Sequence, residues 1–188
     1  RTILLNENIP VLFVTHDIEE ALTLGDHVQV IQNGSIIDTG TPIATLKQPN
    51  SIEIARLTGI ENILELKVAE LLPNEGIIVA GFGNSLTLEV PYKKVAPGEI
   101  ISVGLKASDI IFSTTNPETG SLSARNLLPG TVKTIEKTAV GYEVCIESQD
   151  GLLLHGHITR RSLEQLNIHI GDSLWSIFKT SALFILDD

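Results

Sequence analysis

The sequence predicts a mainly all-β protein: two small barrels preceded by a short α/β segment. Three observations carry this expectation. Helix-like phrases are confined to residues 1–58, where they alternate with strand-like runs. Beyond Gly59, short alternating runs bounded by glycine and proline replace them. The β-rich stretch also repeats itself, so that residues 60–115 and 121–188 read as two diverged copies of one unit.

In chain order, Val11-Leu12-Phe13-Val14 follows Pro10 as a continuous apolar run, the pattern of a strand buried on both faces of a parallel sheet. Thr15-His16-Asp17 stands at its carboxyl end, and Ile18 to Leu24 reads as a helix stopped by Gly25. Two short runs, Val28 to Ile31 and Ser35 to Ile37, flank Asn33-Gly34, the pair that tight hairpin turns demand. Thr41-Pro42 opens a further helix, and Pro49-Asn50-Ser51 opens another that runs to about Leu57. Much later, Asn116-Pro117-Glu118-Thr119-Gly120 mixes turn formers with no apolar residue and reads as a linker between the copies.

The repeat is anchored at both ends. Glu61-Asn62 precedes Val68 as Arg125-Asn126 precedes Val132, and the Asn-to-Val spacing is the same. Gly98-Glu99 leads to Lys106-Ala107-Ser108 as Gly171-Asp172 leads to Lys179-Thr180-Ser181, again at equal spacing. The second copy is longer between these anchors.

Composition limits the function. The net charge of −10 argues against nucleic acid as a partner. Most of the negative excess precedes residue 120, and Arg125, Arg160, Arg161 and Lys179 fall in short polar phrases that offer a small anion a local welcome. No apolar run approaches the ~18 residues of a membrane span. The one cysteine, Cys145, lies among alternating Tyr142, Val144 and Ile146; it excludes an internal disulfide and fits a reducing cytoplasm. The chain has no methionine and opens at Arg1 inside a polar helix-like phrase, so it reads as part of a longer parent, with no signal peptide.

Two phrases carry chemistry. His16 stands where ligands bind in α/β folds, at the carboxyl end of a parallel strand, where an imidazole can bond a phosphate oxygen; the same residue could simply cap the next helix. The second is a group of short polar phrases around Arg125, Thr159 and Lys179. A tetrahedral dianion presents acceptors and no donors, so it wants hydroxyls, backbone N–H groups and one or two cations. Thr159 precedes a short helix and is its expected N-cap, with N–H groups near Ser162 turned outward. In a closed barrel these phrases can meet at one rim or across the interface with a twin. Alternatively, Thr159 and Ser162 only cap the helix and the arginines are solvated.

Three weaker signals are expected to be empty. Gly81-Phe82-Gly83-Asn84-Ser85-Leu86 reads as a turn between strands. His155 and His157 share one side of a strand without a cysteine or carboxylate at metal-ligand spacing. Asn33-Gly34-Ser35 fits the glycosylation pattern but is explained by the hairpin.

The stretch VLFVTHDIEEALTLGDHVQVIQNGSIIDTGT, from Val11 to Thr41, resembles the switch (H-loop) region of ABC ATPases, and the resemblance runs on to about Leu57. It implies that His16 senses the γ-phosphate in a parent that uses ATP and Mg²⁺. No GxxxxGK[ST] loop occurs in this sequence, so this stretch alone is not expected to hydrolyse ATP. Ser123-Ala124-Arg125-Asn126 with Gly130, Ile158-Thr159-Arg160-Arg161-Ser162, Gly171-Asp172 and Lys179-Thr180-Ser181 resemble, in order and spacing, the TOBE/mop modules that follow such ATPases. That resemblance implies OB-like barrels that pair with a twin and bind molybdate or tungstate through these residues. It also implies permease subunits as partners, a homodimer, and a place at the cytoplasmic face of the cell membrane. In the first copy Glu61 replaces the arginine and no TxxS phrase occurs, which puts anion binding there in doubt. The alternative function is structural: the barrels only dimerise the subunits or dock a partner, in an importer of another substrate.

Overall fold

The computed structural model describes residues 10–47, 49, 51–117 and 122–187, and the chain divides into two compact units between Gly59 and Ile60. In the first unit, α1 (Ile18–Leu24) leads to the hairpin β1 (Val28–Gln32) and β2 (Ser35–Gly40). A one-turn π segment (Ile43–Lys47) and α2 (Ile52–Leu57) follow. Asp17 caps α1, its Oδ1 accepting from the N–H groups of Glu19 (2.8 Å) and Glu20 (3.1 Å). Ser51 caps α2 through the Ile54 N–H at 3.2 Å. Asn33 and Gly34 have φ of +50° and +80°, the left-handed pair that the hairpin turn requires.

One expected element is missing. Residues 11–14 form no strand, and their side chains are exposed, Leu12 at 91%. A parallel strand draws both its hydrogen bonds and its burial from neighbours, and this run pairs with none among the described residues. The helix expected after Thr41-Pro42 is only a short π segment, entered through an α-type bond from the Thr45 N–H to the Thr41 carbonyl at 3.0 Å. Of the expected linker, Asn116 and Pro117 are irregular and residues 118–120 lie outside the described residues, as does Asn50.

The second unit is β-rich throughout. The first copy supplies β3 (Asn62–Leu72), β4 (Ile77–Phe82), β5 (Leu86–Pro91), β6 (Ile100–Leu105), a 3₁₀ turn (Ala107–Asp109) and β7 (Ile111–Ser113). The second supplies β8 (Asn126–Lys137), β9 (Tyr142–Ser148), β10 (Leu153–Ile158), α3 (Arg160–Gln165), β11 (Ser173–Phe178), a 3₁₀ turn (Thr180–Ala182) and β12 (Phe184–Leu186). The helix α3 accounts for extra length in the second copy. Both copies bulge at the same place, after Val68 and after Val132. Each of these valines also exchanges backbone bonds with its Gly-acidic turn. Val68 accepts from Gly98 and donates to Glu99, both at 2.8 Å; Val132 does the same with Gly171 and Asp172, both at 2.9 Å. The repeat seen in the sequence is therefore a repeat of hydrogen bonds.

The two copies exchange strands. Two antiparallel sheets form, ordered β12-β6-β3-β4-β5 and β10-β9-β8-β11-β7, so each copy gives its last strand to the other's sheet. Phe184 of β12 lies opposite Gly104 of β6, and Ile111 of β7 opposite Ile177 of β11. Phe112 of β7 packs against Gly156 at the far edge of its adopted sheet, where a Cβ would stand 2.4 Å from the ring. One core results: Leu66, Val103 and Leu105 belong to the same cluster as Val132, Ile146, Leu174 and Phe178. A single unit of about 60 residues buries too little surface to be robust alone, and a shared core offsets this.

Two buried asparagines tie the sheets together reciprocally. Asn62 at the start of β3 donates to the His155 carbonyl (2.9 Å) and accepts the His155 N–H (2.7 Å) on β10; it also donates to the Leu105 carbonyl (3.1 Å). Asn126 at the start of β8 does the same for Glu89 on β5, at 3.0 and 2.8 Å. Both side chains are 2% exposed. Since β5 and β10 are edge strands, each amide satisfies backbone groups that lack a ladder partner on that side.

The two long hairpin turns meet as well. The Asp150 carboxylate accepts from the Ser85 hydroxyl (2.7 Å), the Ser85 N–H (3.1 Å) and the Asn84 N–H (3.4 Å). Gly83, at φ +63°, leaves the room: a Cβ there would lie 2.7 Å from the Asp150 Cβ. The Ser85 hydroxyl, more than any other group, holds the Asp150 carboxyl below the usual carboxylate range.

Asn62→Ala and Asn126→Ala should each lower the urea midpoint, at about 1–3 kcal/mol for every strand group left unpaired. A change of only a few tenths in either would show that the amides are incidental. Asp150→Asn should destabilise the chain at neutral pH. A carboxyl whose folded pKa is depressed contributes stability above its unfolded pKa and loses it as pH falls through the folded one. The gap in melting temperature between Asp150→Asn and the unmodified chain should therefore close on acidification, and a gap independent of pH would contradict the assignment.

Candidate functional site

Strand register sets where the polar phrases stand. Asn62 pairs with Leu105, which brings Glu61 beside Lys106; Asn126 pairs with Phe178, which brings Arg125 beside Lys179. The 3₁₀ turn after each of those lysines packs on an edge strand of the other copy: Ala107–Asp109 on β10, and Thr180–Ala182 on β5. The unit therefore has two pseudo-equivalent ends, each built from both copies.

At the first end are Glu61, Lys106, Ala107 and Ser108, with His157 and Thr159 from the second copy. An open cleft of about 180 Å³ is lined here by Ser108, Thr138, Tyr142, His157 and Thr159, among others. At the second end are Arg125, Lys179, Thr180 and Ser181, with Glu89 from the first copy. The Thr180 hydroxyl donates to Glu89 Oε2 at 3.4 Å. Ser123, Arg125, Lys179 and Ser181 are exposed.

The six expected anion residues thus divide. Ser123, Arg125, Lys179 and Ser181 belong with the phrases of the second end, whereas Thr159 lines the first, with Ser162 bonded to it. The exchange of last strands is the cause, since it carries the Lys-Ala-Ser phrase, rather than Lys-Thr-Ser, to β10, the strand that precedes Thr159. Thr159 is the N-cap of α3 as expected, accepting the Ser162 N–H at 3.1 Å and donating to the Ser162 hydroxyl at 2.9 Å. The Ser162 N–H is accordingly engaged by the cap instead of facing outward. Arg160 is paired with Glu164 at 2.7 Å on the exposed face of α3.

The ends differ in charge. At the first, Glu61 Oε2 accepts the Ala107 N–H at 3.0 Å, and His157 Nε2 lies 3.8 Å from Glu61 and 3.7 Å from Glu143. His155 Nδ1 bonds Glu143 Oε1 at 3.0 Å. Spacing along the sequence gave no hint of these carboxylates. The pairing of β10 with β9 sets His155 opposite Cys145 and His157 opposite Glu143. No group of three or more such side chains suited to a metal ion occurs among the described residues. Cys145, 3.8 Å from His155 Nε2, is no activated thiol: burial pushes its pKa up, and Glu143, Glu147 and Glu136 push the same way. The second end sets two cations, Arg125 and Lys179, against one carboxylate, Glu89. A small anion is favoured there by simple charge balance.

His16 is exposed, one residue before the Asp17 cap. Asp17 and Thr15 hold that turn, the Thr15 hydroxyl accepting the Asp17 N–H at 3.0 Å. Helix capping is therefore the work of Asp17, and the imidazole of His16 is not the cap.

The chain is similar to several known proteins. Residues 122–185 match the TOBE domain. The chain is 32% identical over 93% of its length to the molybdate/tungstate import ATP-binding protein WtpC of Pyrococcus horikoshii, and 28% identical over 94% to the molybdenum import ATP-binding protein ModC of Rhizobium johnstonii. It covers 46% and 48% of those proteins, so it spans about half the length of the curated relatives it matches. A crystal structure of the cytoplasmic molybdate-binding protein ModG, with molybdate bound, superposes with a TM-score of 0.56 at 27% identity, over 69% of this chain and 98% of that one. No helix of the described residues is long and apolar enough to cross a membrane. The chain, with its C-terminal TOBE region, is homologous over some nine-tenths of its length to the ATP-binding subunits of molybdate and tungstate importers.

Proposed function

We propose that this chain is the regulatory region of an importer ATP-binding subunit, and that it binds a molybdate- or tungstate-type oxyanion and couples its occupancy to ATP-driven transport. The observation that supports the reading is the register of the second end, which sets Arg125 beside Lys179 at the head of the Thr180-Ser181 turn, on a fold similar to that of molybdate-binding ModG. Two cations offset the dianion's charge, and the hydroxyls of Ser181 and Ser123 supply donors to its oxygens. In this reading His16 reports the γ-phosphate of ATP bound by the whole subunit with Mg²⁺. The partners are the importer's permease subunits and a second copy of the chain, at the cytoplasmic face of the membrane.

Calorimetric titration of the purified chain with sodium molybdate tests the proposal, at fixed ionic strength because screening alters any exposed attraction. Molybdate should bind, and Lys179→Ala and Ser181→Ala should each weaken it by about tenfold to a hundredfold, the cost of losing a hydrogen bond to a charged partner. Ser162→Ala should change affinity little, because Ser162 belongs to the other end. No heat of binding in the unmodified chain would leave a dimerisation or docking module. Equal losses from Ser162→Ala and Ser181→Ala would overturn the division into two ends.

A further inference from the structure

The two ends are built alike yet are not alike in chemistry, and the difference traces to one residue. The first end has Lys106 and Ser108 where the second has Lys179 and Ser181, and it also has Thr159, which the second lacks. What sets it apart is Glu61, standing where Arg125 stands in the other copy.

Glu61 does more than add negative charge. Its carboxylate Oε2 accepts the Ala107 N–H at 3.0 Å, and its Oε1 lies 3.8 Å from His157 Nε2. Both are groups that would serve a bound oxyanion, one a backbone donor and the other a protonatable imidazole. A carboxylate presents two acceptor oxygens and one negative charge, which makes it a fair mimic of part of a tetrahedral oxyanion. Being covalently attached, it competes at a high effective concentration that a free ion at ordinary levels does not match. Glu143, 3.7 Å from the same His157 nitrogen, adds a second negative charge that repels an arriving dianion.

We infer that the Glu61 carboxylate is a tethered stand-in for an oxyanion at the first end, so that this chain holds one oxyanion-binding end instead of two. The inference rests on the oxyanion reading of the fold given above. Glu61 is thereby a specificity-determining residue: it sets how many ions the unit takes, and it fixes the first end in an occupied form whatever the oxyanion concentration.

Equilibrium dialysis of the purified chain against sodium molybdate, at constant ionic strength, measures the number of ions bound per chain. The unmodified chain should bind one. Glu61→Ala, which frees the Ala107 N–H and removes the charge, should bind two. Glu61→Gln keeps an oxygen on that N–H while losing the charge, and its additional ion should bind more weakly than that of Glu61→Ala. Melting temperatures of both variants near that of the unmodified chain establish that they are folded. A ratio of one in all three proteins would overturn the inference while leaving the oxyanion reading of the second end intact. No binding to the unmodified chain with one ion bound to Glu61→Ala would overturn the oxyanion reading of the second end, and with it the count of one, while showing that Glu61 holds the first end closed. Binding to none of them would overturn both.

Discussion

Everything in the β-rich unit is organised by the reciprocal bonding of Asn62 and Asn126. Each amide sits at the start of its copy's first strand and closes a pair of hydrogen bonds on an edge strand of the other copy, His155 on β10 or Glu89 on β5. A carboxamide offers one acceptor and two donors in a plane, so it can face a residue's N–H and C=O together, as a neighbouring strand would. Buried at 2% exposure, these bonds are costly to leave unmade. They also set what stands beside them. The residue before each asparagine, Glu61 or Arg125, is delivered to an end of the unit, next to the lysine that follows β6 or β11. The constraint that joins the copies is the one that places the charges.

The exchange of last strands works to the same effect. Because β7 and β12 cross to the opposite sheets, neither copy retains a complete sheet of its own, and a single core spans both. Each end then draws on two copies, and a change confined to one copy can alter one end alone. Glu61 has that character. It leaves the hydrogen-bonded frame of the repeat untouched and reverses the charge at a single place.

Much of this was legible in the sequence, for physical reasons that can be named. Asn33-Gly34 marked its hairpin because few residues accept positive φ at two successive positions. Gly98 and Gly171, at φ +84° and +94°, marked the turns that anchor the repeat. The exchange was not legible, because alternation along a strand specifies which face is buried and leaves its partner open. The same limit hid the carboxylates around His157, since Glu143 reaches it through strand pairing and Glu61 through the exchange. It also led Thr159 and Ser162 to be grouped with Lys179 and Ser181. Residues 11–14 failed differently: their apolar pattern describes a strand only where neighbours exist to pair with it. The Asp150 clasp left no mark beyond a glycine, Gly83, in a turn already expected to be a turn.

On the proposed reading the two pseudo-equivalent ends differ in function, one open to an oxyanion and the other closed by its own carboxylate. Tungstate scatters X-rays anomalously, so crystals of the chain grown with sodium tungstate would locate each bound ion directly. The account predicts one anomalous peak per chain, in contact with Lys179 and Ser181, with the Glu61 carboxylate still bonded to the Ala107 N–H. A peak beside Ala107 with Glu61 turned away, or no peak at the Lys179 end, would contradict it.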